Sequence, residues 1–428
     1  MIAAILFAAA QVITAQPSTS EGTQVSIPAA ISPAAEPGSQ LTVYLLTMGP
    51  GDQVWEKFGH NAIWIHDAAA GTDIAYHWGL FDFADADFVP RFIQGRMRYS
   101  MGAFDMEQTV EAYRQADRTV WAQELNLDPA QRKKLADFVA WNVLPENRYY
   151  DYDYYRDNCS TRVRDALDLA LGGAIRTASD RVPSGTTYRF HTARLTQDDP
   201  AVFTGTMIGL GQPVDLPISD WEEMFLPVRM KESLKDIRVQ TEEGSQPLVR
   251  DERVIFEATR PPEEVSVNTG ILPFAIVSGA ILLIGAFLLI LRRPRHGGAG
   301  VVTLGAAWSL IAGIAGSLIA FLWLFTDHLY SYRNENLFHL NPLSLVLVAF
   351  LARLAWKRWR GAPELAEGAR RDALILAGIV AGLSLIGFVL QVLPSLHQVN
   401  GHVIALALPL HLGVVALLVA LNPRPASG

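Results

Sequence analysis

The 428-residue chain is half hydrophobic and only 18% charged, and its mean hydropathy of +0.18 is too apolar for an ordinary soluble protein of this size. A formal net charge of −8, with no basic cluster before Arg292, argues against a nucleic-acid partner. Cys159 is the only cysteine, so no intramolecular disulfide can form.

The N-terminal stretch MIAAILFAAAQVITAQ is too short to span a bilayer, which needs about 20 apolar residues. It fits a secretory signal over residues 1–16, with small residues near Ala15 for cleavage; the missing positive n-region leaves an uncleaved anchor open. Residues 17–40 are rich in Pro, Ser, Ala and Gly and read as a flexible linker.

An extracytoplasmic domain is expected over residues 41–265. LTVYLLTMG (Leu41 to Gly49) has strand composition, and NAIWIHD and TDIAYHWG form a hairpin through AAAG. If that hairpin turns at Ala70 and Gly71, His77 falls near residues 63 to 65 of the neighbouring strand. Helices are expected over Met106–Trp121 and Asp128–Val143, the second capped by Asp128 with Pro129 in its first turn. Tyr150, Tyr152 and Tyr154 alternate with Asp151 and Asp153, the pattern of a strand with one aromatic face. From Asn158 onward, Val163, Leu167, Ala170 and Leu171 form the stripe of an amphipathic helix, with Asp157 and Asn158 suited to N-capping. Residues Gln240 to Ala258, with EEGSQ as the turn, predict a late hairpin.

The C-terminal part, residues 271–421, breaks into five apolar runs: Ile271–Leu291, Val301–Phe325, Pro342–Trp356, Ala373–Leu393 and Val403–Leu421. RRPRH (Arg292 to His296) follows the first run and KRWRG…RRD (Lys357 to Asp372) follows the third. The other two loops carry only Arg333. Cationic loops stay cytoplasmic, so everything before Ile271 is expected outside the cytoplasm and the C-terminus inside it. In the loop after the second run, His328, Asn334 and Asn336 are candidates for holding a polar lipid headgroup; the alternative is that such residues cap helix ends. Gln391 and His411 are polar residues inside or near the ends of the last two runs, an unfavourable place without partners.

Cys159 falls in the first turn of its helix, where free N–H groups and the helix dipole favour an anion and bring a thiol below its usual pKa of about 8.5. That suits a nucleophile; the alternative is a small buried hydrophobe. The N-terminal part offers His60, His66, His77 and His191 as a base. His60 and His66 share a strand face but lie about 20 Å apart, so they cannot serve one small site. A Cys at a helix start with a His at a strand start is the arrangement of papain-like enzymes, although a lone strand His is more often structural. The scattered histidines and single thiol offer no metal cluster, and no glycine-rich phosphate loop precedes a helix. No cofactor is therefore expected.

The segments FGHNAIWI, YHWGLFDF, FIQGRMRY, YDYDYYRDNCSTRVRDAL and DLPISDWEEMFLP resemble the extracytoplasmic domain of the Lnb-type lipoprotein transacylase family. The TDH…N.N….NP loop and its flanking spans resemble that family's membrane half, so the resemblance covers nearly the whole chain after the linker. It implies an α+β papain-like domain, circularly permuted in the NlpC/P60 sense, followed by an α-helical membrane domain of five spans in the inner (cytoplasmic) membrane, with the N-terminal domain on the periplasmic side. It implies Cys159 as nucleophile, His60 as base and His77 at the position of a third polar residue, with the Cys159 N–H and the Asn158 side chain for the oxyanion. The implied reaction moves an acyl chain from a lipid ester of a lipoprotein, or from a phospholipid, to an amine through a thioester. The tyrosines, Trp64, Trp78, Phe81 and Phe83 either line an acyl groove or belong to the core. Two other functions fit the same residues: a cysteine peptidase or amidase acting on cell-wall peptide, against which five spans count, and a membrane sensor or scaffold with an inert Cys159.

Overall fold

The structure, a computed structural model, describes residues 36–241, 244–290, 298–360 and 367–421. The signal-like residues 1–16, most of the linker, the cationic Arg292–His296 and residues 361–366 of the second cationic loop lie outside the described residues. The chain divides into two compact units. One holds the residues up to Thr186 together with Pro217–Glu263; the other holds Thr187–Leu216 together with the residues from Glu264 on.

Seven strands of the first unit form one antiparallel sheet: β1 (Leu41–Met48), β2 (His60–Asp67), β3 (Thr72–Leu80), β4 (Arg98–Asp105), β5 (Val120–Leu125), β6 (Tyr149–Asp151) and β7 (Val249–Phe256), in the order β7-β5-β1-β2-β3-β4-β6. Alternate residues of the central strands are buried on opposite faces. Val43, Leu45, Ile63, Ile65 and Trp78 join a core with α3 (Pro129–Asn142) and α4 (Cys159–Ala170). Leu46, Met48, Ala62, Trp64 and Ala75 join another with Met106 and Val110 of α2 (Met106–Gln115). α1 (Phe88–Gln94) lies between β3 and β4 in the chain and buries none of its residues.

Local chemistry sets several boundaries. The β2–β3 turn closes on Asp67, whose Oδ1 accepts from the Ala69 and Ala70 amides, while Gly71 takes a φ of +66°. The register that results puts His77 opposite Ala62, closer to His60 than the expected residues 63 to 65. α2 ends at Gln115 rather than Trp121: the chain turns at Asp117, whose φ is +49°, and Trp121 belongs to β5. The tyrosine-rich segment is a strand only over Tyr149–Asp151, because Asp153 Oδ1 accepts from the Tyr155 and Arg156 amides and bends the chain. α3 starts as the sequence predicts, with Asp128 and Gln131 forming a reciprocal capping box ahead of Pro129. In the late segment, Arg238–Thr241 pairs with Gly244–Pro247, but Val249–Phe256 pairs with β5 across the main sheet.

Among the described residues the second unit holds five helices long and apolar enough to cross a membrane: Leu272–Ile290, Ala299–Phe325, Asn336–Trp359, Glu367–Leu390 and Gly401–Ala420. The third begins with a short turn at Asn336–His339 and continues as Leu343–Trp359. Residues 187–216, which the sequence places in the extracytoplasmic domain, form the helices Tyr188–Thr196 and Pro200–Gly209 of this unit. The reason is hydrogen bonding. Asn334 Nδ2 donates to the Ile208 and Gly209 carbonyls, and Asn336 Nδ2 to those of Met207 and Ile208, closing the end of the second of these helices.

Both asparagines are fully buried in that role, so the headgroup function considered for Asn334 and Asn336 gives way to helix capping. His328 is half-buried and stands at the start of the turn Leu329–Ser331. Gln391 and His411 have the partners their positions require: Gln391 Nε2 donates to Glu335 Oε2 at 2.9 Å, and His411 Nε2 lies 2.8 Å from the His339 carbonyl. Asn336→Ala would take a donor from the Met207 and Ile208 carbonyls and the Oδ1 acceptor from the buried Asn400 Nδ2. It should destabilise the chain by about 1–3 kcal/mol, read as a lower thermal unfolding midpoint of the detergent-solubilised protein.

Candidate active site

The β2–β3 ladder ends early. Its last pair is Ala62↔His77, although β2 begins at His60 and β3 runs on to Leu80. Beyond His77 the pairing of β3 with β4 is irregular until Leu80, and Gly79 adopts a φ of +89°. The two strands therefore part beside His60 and Asn61, and the N-terminus of α4 seats there. A Cβ on Gly79 would come 3.2 Å from the Cys159 Cβ, so glycine is required both for the backbone conformation and for the close approach.

Asn158 caps α4. Its Oδ1 accepts from the Ser160 and Thr161 amides, and the Thr161 hydroxyl accepts from the Asn158 amide. Such a cap is worth about 1 kcal/mol. The Asn158 Nδ2 donates to the carbonyls of Tyr154 and Phe225. Both hydrogens of the amide are thereby committed, which corrects the expectation that this side chain holds an oxyanion. The next residues anchor the helix to the sheet. Ser160 Oγ lies 2.7 Å from both Asn61 Oδ1 and the Met224 carbonyl, and Asn61 Nδ2 donates to the Leu46 carbonyl and to Thr47 Oγ1 on β1.

Cys159 keeps part of its surface accessible, and the backbone amides of Asn61, Ser160 and Cys159 lie near its sulfur and favour its charged form. These amides lower the thiol pKa, as the sequence predicts for a helix start. Burial acts against them and is larger, so the thiol is pushed above its ordinary value. The expected lowering of the pKa does not occur. At rest the sulfur is protonated.

His60 and His77 meet. His60 Nε2 lies 3.0 Å from His77 Nδ1, and the two rings are nearly parallel. Burial holds His60 well below 6.5, helped by His77 and Arg118, and burial holds His77 down at about 4. Both rings are therefore neutral, and their tautomers follow from the far end of the chain of contacts. The Thr109 hydroxyl donates to the Asp105 carbonyl at 2.9 Å, so toward His77 Nε2, 3.5 Å away, it acts as acceptor. His77 then carries its hydrogen on Nε2 and accepts at Nδ1. His60 donates from Nε2, which leaves the His60 Nδ1 lone pair free to take a proton. No hydrogen bond joins His60 to Cys159 at rest among the described residues, although the Asn61 amide that reaches the sulfur belongs to the very next residue.

Several participants carry no sequence signal. Tyr113 stacks on His60 and lies under the Arg118 guanidinium, which is itself buried and bound to the Gly49 carbonyl and to Glu56. Tyr99 and Tyr152 stack with centroids 4.0 Å apart. Burial raises both hydroxyls above their ordinary range. His66 pairs with Asp73 at the far end of the hairpin, and His191 lies buried in the second unit, where it accepts from Arg194.

Residues 34–195 match the Lnb N-terminal periplasmic domain, and residues 266–362 match the Lnb transmembrane domain. The chain belongs to the Lnb family. Its Lnb periplasmic domain contains Cys159, His60 and His77, and its Lnb transmembrane domain contains the asparagines that cap the Pro200–Gly209 helix. No curated protein and no solved structure matches the chain.

Two measurements on the full chain probe these protonation states. The unfolded chain takes up the histidine protons near pH 6.5, whereas folded His77 resists until about pH 4 and folded His60 is likewise depressed. Stability should therefore be fully present above pH 6.5 and fall as the pH drops from there toward 4. The double variant His60→Gln/His77→Gln should flatten that decline in thermal unfolding midpoint. Alkylation of the only thiol by iodoacetamide should keep accelerating with pH past about 8.5, the reference value for a free thiol; a plateau near neutrality would mean a preformed thiolate.

Proposed function

We propose that this Lnb protein is a thiol-dependent acyltransferase working at a membrane surface, with Cys159 as nucleophile, His60 as base and His77 as the residue that orients it. The observation carrying this reading is the contact of His77 with His60, the residue next to Asn61, whose amide lies near the Cys159 sulfur. The order of His before Cys, the antiparallel sheet and the thiol at a helix start support a circularly permuted NlpC/P60-type relation to papain-like enzymes. The five apolar helices support an integral membrane location. The bias of Lys and Arg supports an inner membrane with the Lnb periplasmic domain outside the cytoplasm and the C-terminus inside.

The reaction balances without a cofactor. As the thiol turns toward His60, Nδ1 takes its proton while the sulfur attacks the carbonyl carbon of a lipid ester. The tetrahedral oxyanion takes a hydrogen bond from the Cys159 amide, which in the first turn of α4 has no carbonyl partner within the helix. The carbon–oxygen bond breaks, the alcohol leaves with the proton from His60, and a thioester remains on Cys159. An amine such as the N-terminus of a lipoprotein then attacks the thioester, gives its proton to His60 and forms an amide. Carbon–sulfur cleavage returns the proton to the thiol. Because thiol and imidazole start neutral, proton transfer and attack belong to one event.

Expression in cells that lack lipoprotein N-acylation, followed by mass spectrometry of lipoprotein N-termini, tests this reading. An acyl chain should move to the N-terminal amine with the native chain and not with Cys159→Ser. No shift, or the same shift with the variant, excludes the transacylase; release of cell-wall peptides in a digest would instead identify a hydrolase using the same thiol. His60→Gln should lower kcat by about 10²–10⁴-fold. Thr109→Val should lower it less and leave KM unchanged, since it frees the tautomer without touching substrate.

A further inference from the structure

A guanidinium loses its hydration when it is buried, and without full compensation that is strongly unfavourable. Arg118 is nevertheless only 5% exposed. It sits in the turn between α2 and β5. Its Nε donates to the Gly49 carbonyl at 2.9 Å, and one carboxylate, that of Glu56, lies 3.3 Å from Nη1. Nη2 is buried and has no hydrogen-bond partner among the described residues. The positive charge is therefore compensated on one side only.

The turn that carries Arg118 is pinned from outside. The Thr259 amide and hydroxyl donate to the two Asp117 carboxylate oxygens at 2.8 and 2.7 Å, and Arg260 donates to the Asp117 carbonyl and to Asp52. Those two carboxylates are thereby engaged, and Glu56 is the acid beside Arg118. On the inward side the guanidinium lies 4.9 Å from the centroid of Tyr113, whose ring stacks on His60 at 6.2 Å. The other titratable groups around the reacting pair are uncharged. His77 is neutral, and burial pushes the Tyr113 hydroxyl up to about 12. The tyrosines facing Cys159, namely Tyr99, Tyr150 and Tyr152, are likewise held protonated by burial. A fixed cation in such surroundings acts strongly: it opposes a proton on His60 and favours an anion at Cys159.

We propose that Arg118 is a positioning residue for the proton: its fixed charge, held on the Tyr113 ring that stacks on His60, forbids a standing imidazolium and sends the proton from Cys159 on to the departing alcohol. This rests on the thiol mechanism above and adds a residue to it. His60 Nδ1 takes the thiol proton as the carbon–sulfur bond forms. As the carbon–oxygen bond breaks, its electron pair goes to the alcohol oxygen, and the same proton follows from Nδ1. Repulsion from Arg118 makes the imidazolium a stronger acid for that second transfer, and no reorganisation is needed because the cation is already in place.

The experiment uses the full chain in detergent, glycinamide as acceptor, and two esters of the same acyl group, ethyl butanoate and p-nitrophenyl butanoate. Ethoxide must take a proton as it leaves, whereas p-nitrophenolate leaves as the anion. Arg118→Gln should lower kcat on ethyl butanoate about tenfold or more, and far less on p-nitrophenyl butanoate, with KM little changed on either. The acid limb of kcat/KM on p-nitrophenyl butanoate should move up by roughly half to one pH unit, because His60 then holds a proton more readily. Arg118→Lys keeps the charge and should restore the ratio between the esters. Glu56→Gln removes the compensating charge, while its amide oxygen can still accept from the Gln53 amide. It should move the acid limb down, and it decides the matter if Arg118→Gln does not fold. Equal losses on both esters with an unmoved limb, a ratio that Arg118→Lys leaves lost, or limbs that move the same way in the Arg118→Gln and Glu56→Gln variants would each overturn the role of Arg118. Turnover that survives Cys159→Ser would overturn the thiol mechanism separately, whatever the Arg118 variants do.

Discussion

One buried amide, Asn61, holds the site together. Its side chain binds β1 through the Leu46 carbonyl and Thr47, and binds α4 through Ser160, while its backbone N–H reaches the Cys159 sulfur. It is fully buried, where a satisfied hydrogen-bond network is rigid and a half-satisfied one is strongly unfavourable. His60 is the preceding residue. The position of the thiol relative to His60 is thus fixed by covalent neighbourhood on one side and by Asn61 on the other. Gly79 completes the arrangement by letting β3 turn aside so that the helix end can approach the sheet.

Within that frame, burial outweighs the helix end. Three amides and the Arg118 charge favour an ionised sulfur, and desolvation overrides them. The same desolvation keeps both imidazoles neutral. What remains is a directed set of hydrogen bonds, from Asp105 through Thr109 and His77 to His60, which selects the nitrogen able to accept a proton. His60 is oriented by the Thr109 hydroxyl and the His77 imidazole, with no carboxylate in that chain of contacts among the described residues.

Much of the organisation is legible in the sequence because it rests on local or strongly periodic signals. The five apolar runs, the Asp128–Pro129 start of α3 and the stripe of α4 each depend on a few neighbouring residues, and each is found where those residues indicate. Cys159 and His60 could be singled out because helix starts and strand starts can be read locally. The pairing of His77 with His60 could not. It depends on a hairpin register displaced by the Asp67 turn, and one residue of register decides which side chains face each other. Tyr113, Arg118 and Thr109 come from α2 and the turn after it, brought to the site by the packing of the opposite sheet face. The sequence does not show that the Asn158 amide is occupied, because the carbonyls of Tyr154 and Phe225 that take it are set by tertiary contacts. Likewise, nothing near residues 187–216 indicates that two asparagines more than a hundred residues later will claim that segment.

The solitary cysteine also bears on how such a protein endures. A thiol in an oxidising compartment meets peroxide and disulfide-bonded small molecules, and both react with the thiolate and scarcely with the protonated form. By keeping Cys159 neutral, the desolvated pocket acts as a chemical safety catch. The single sulfur can wait in the periplasm without a partner cysteine to rescue it from overoxidation.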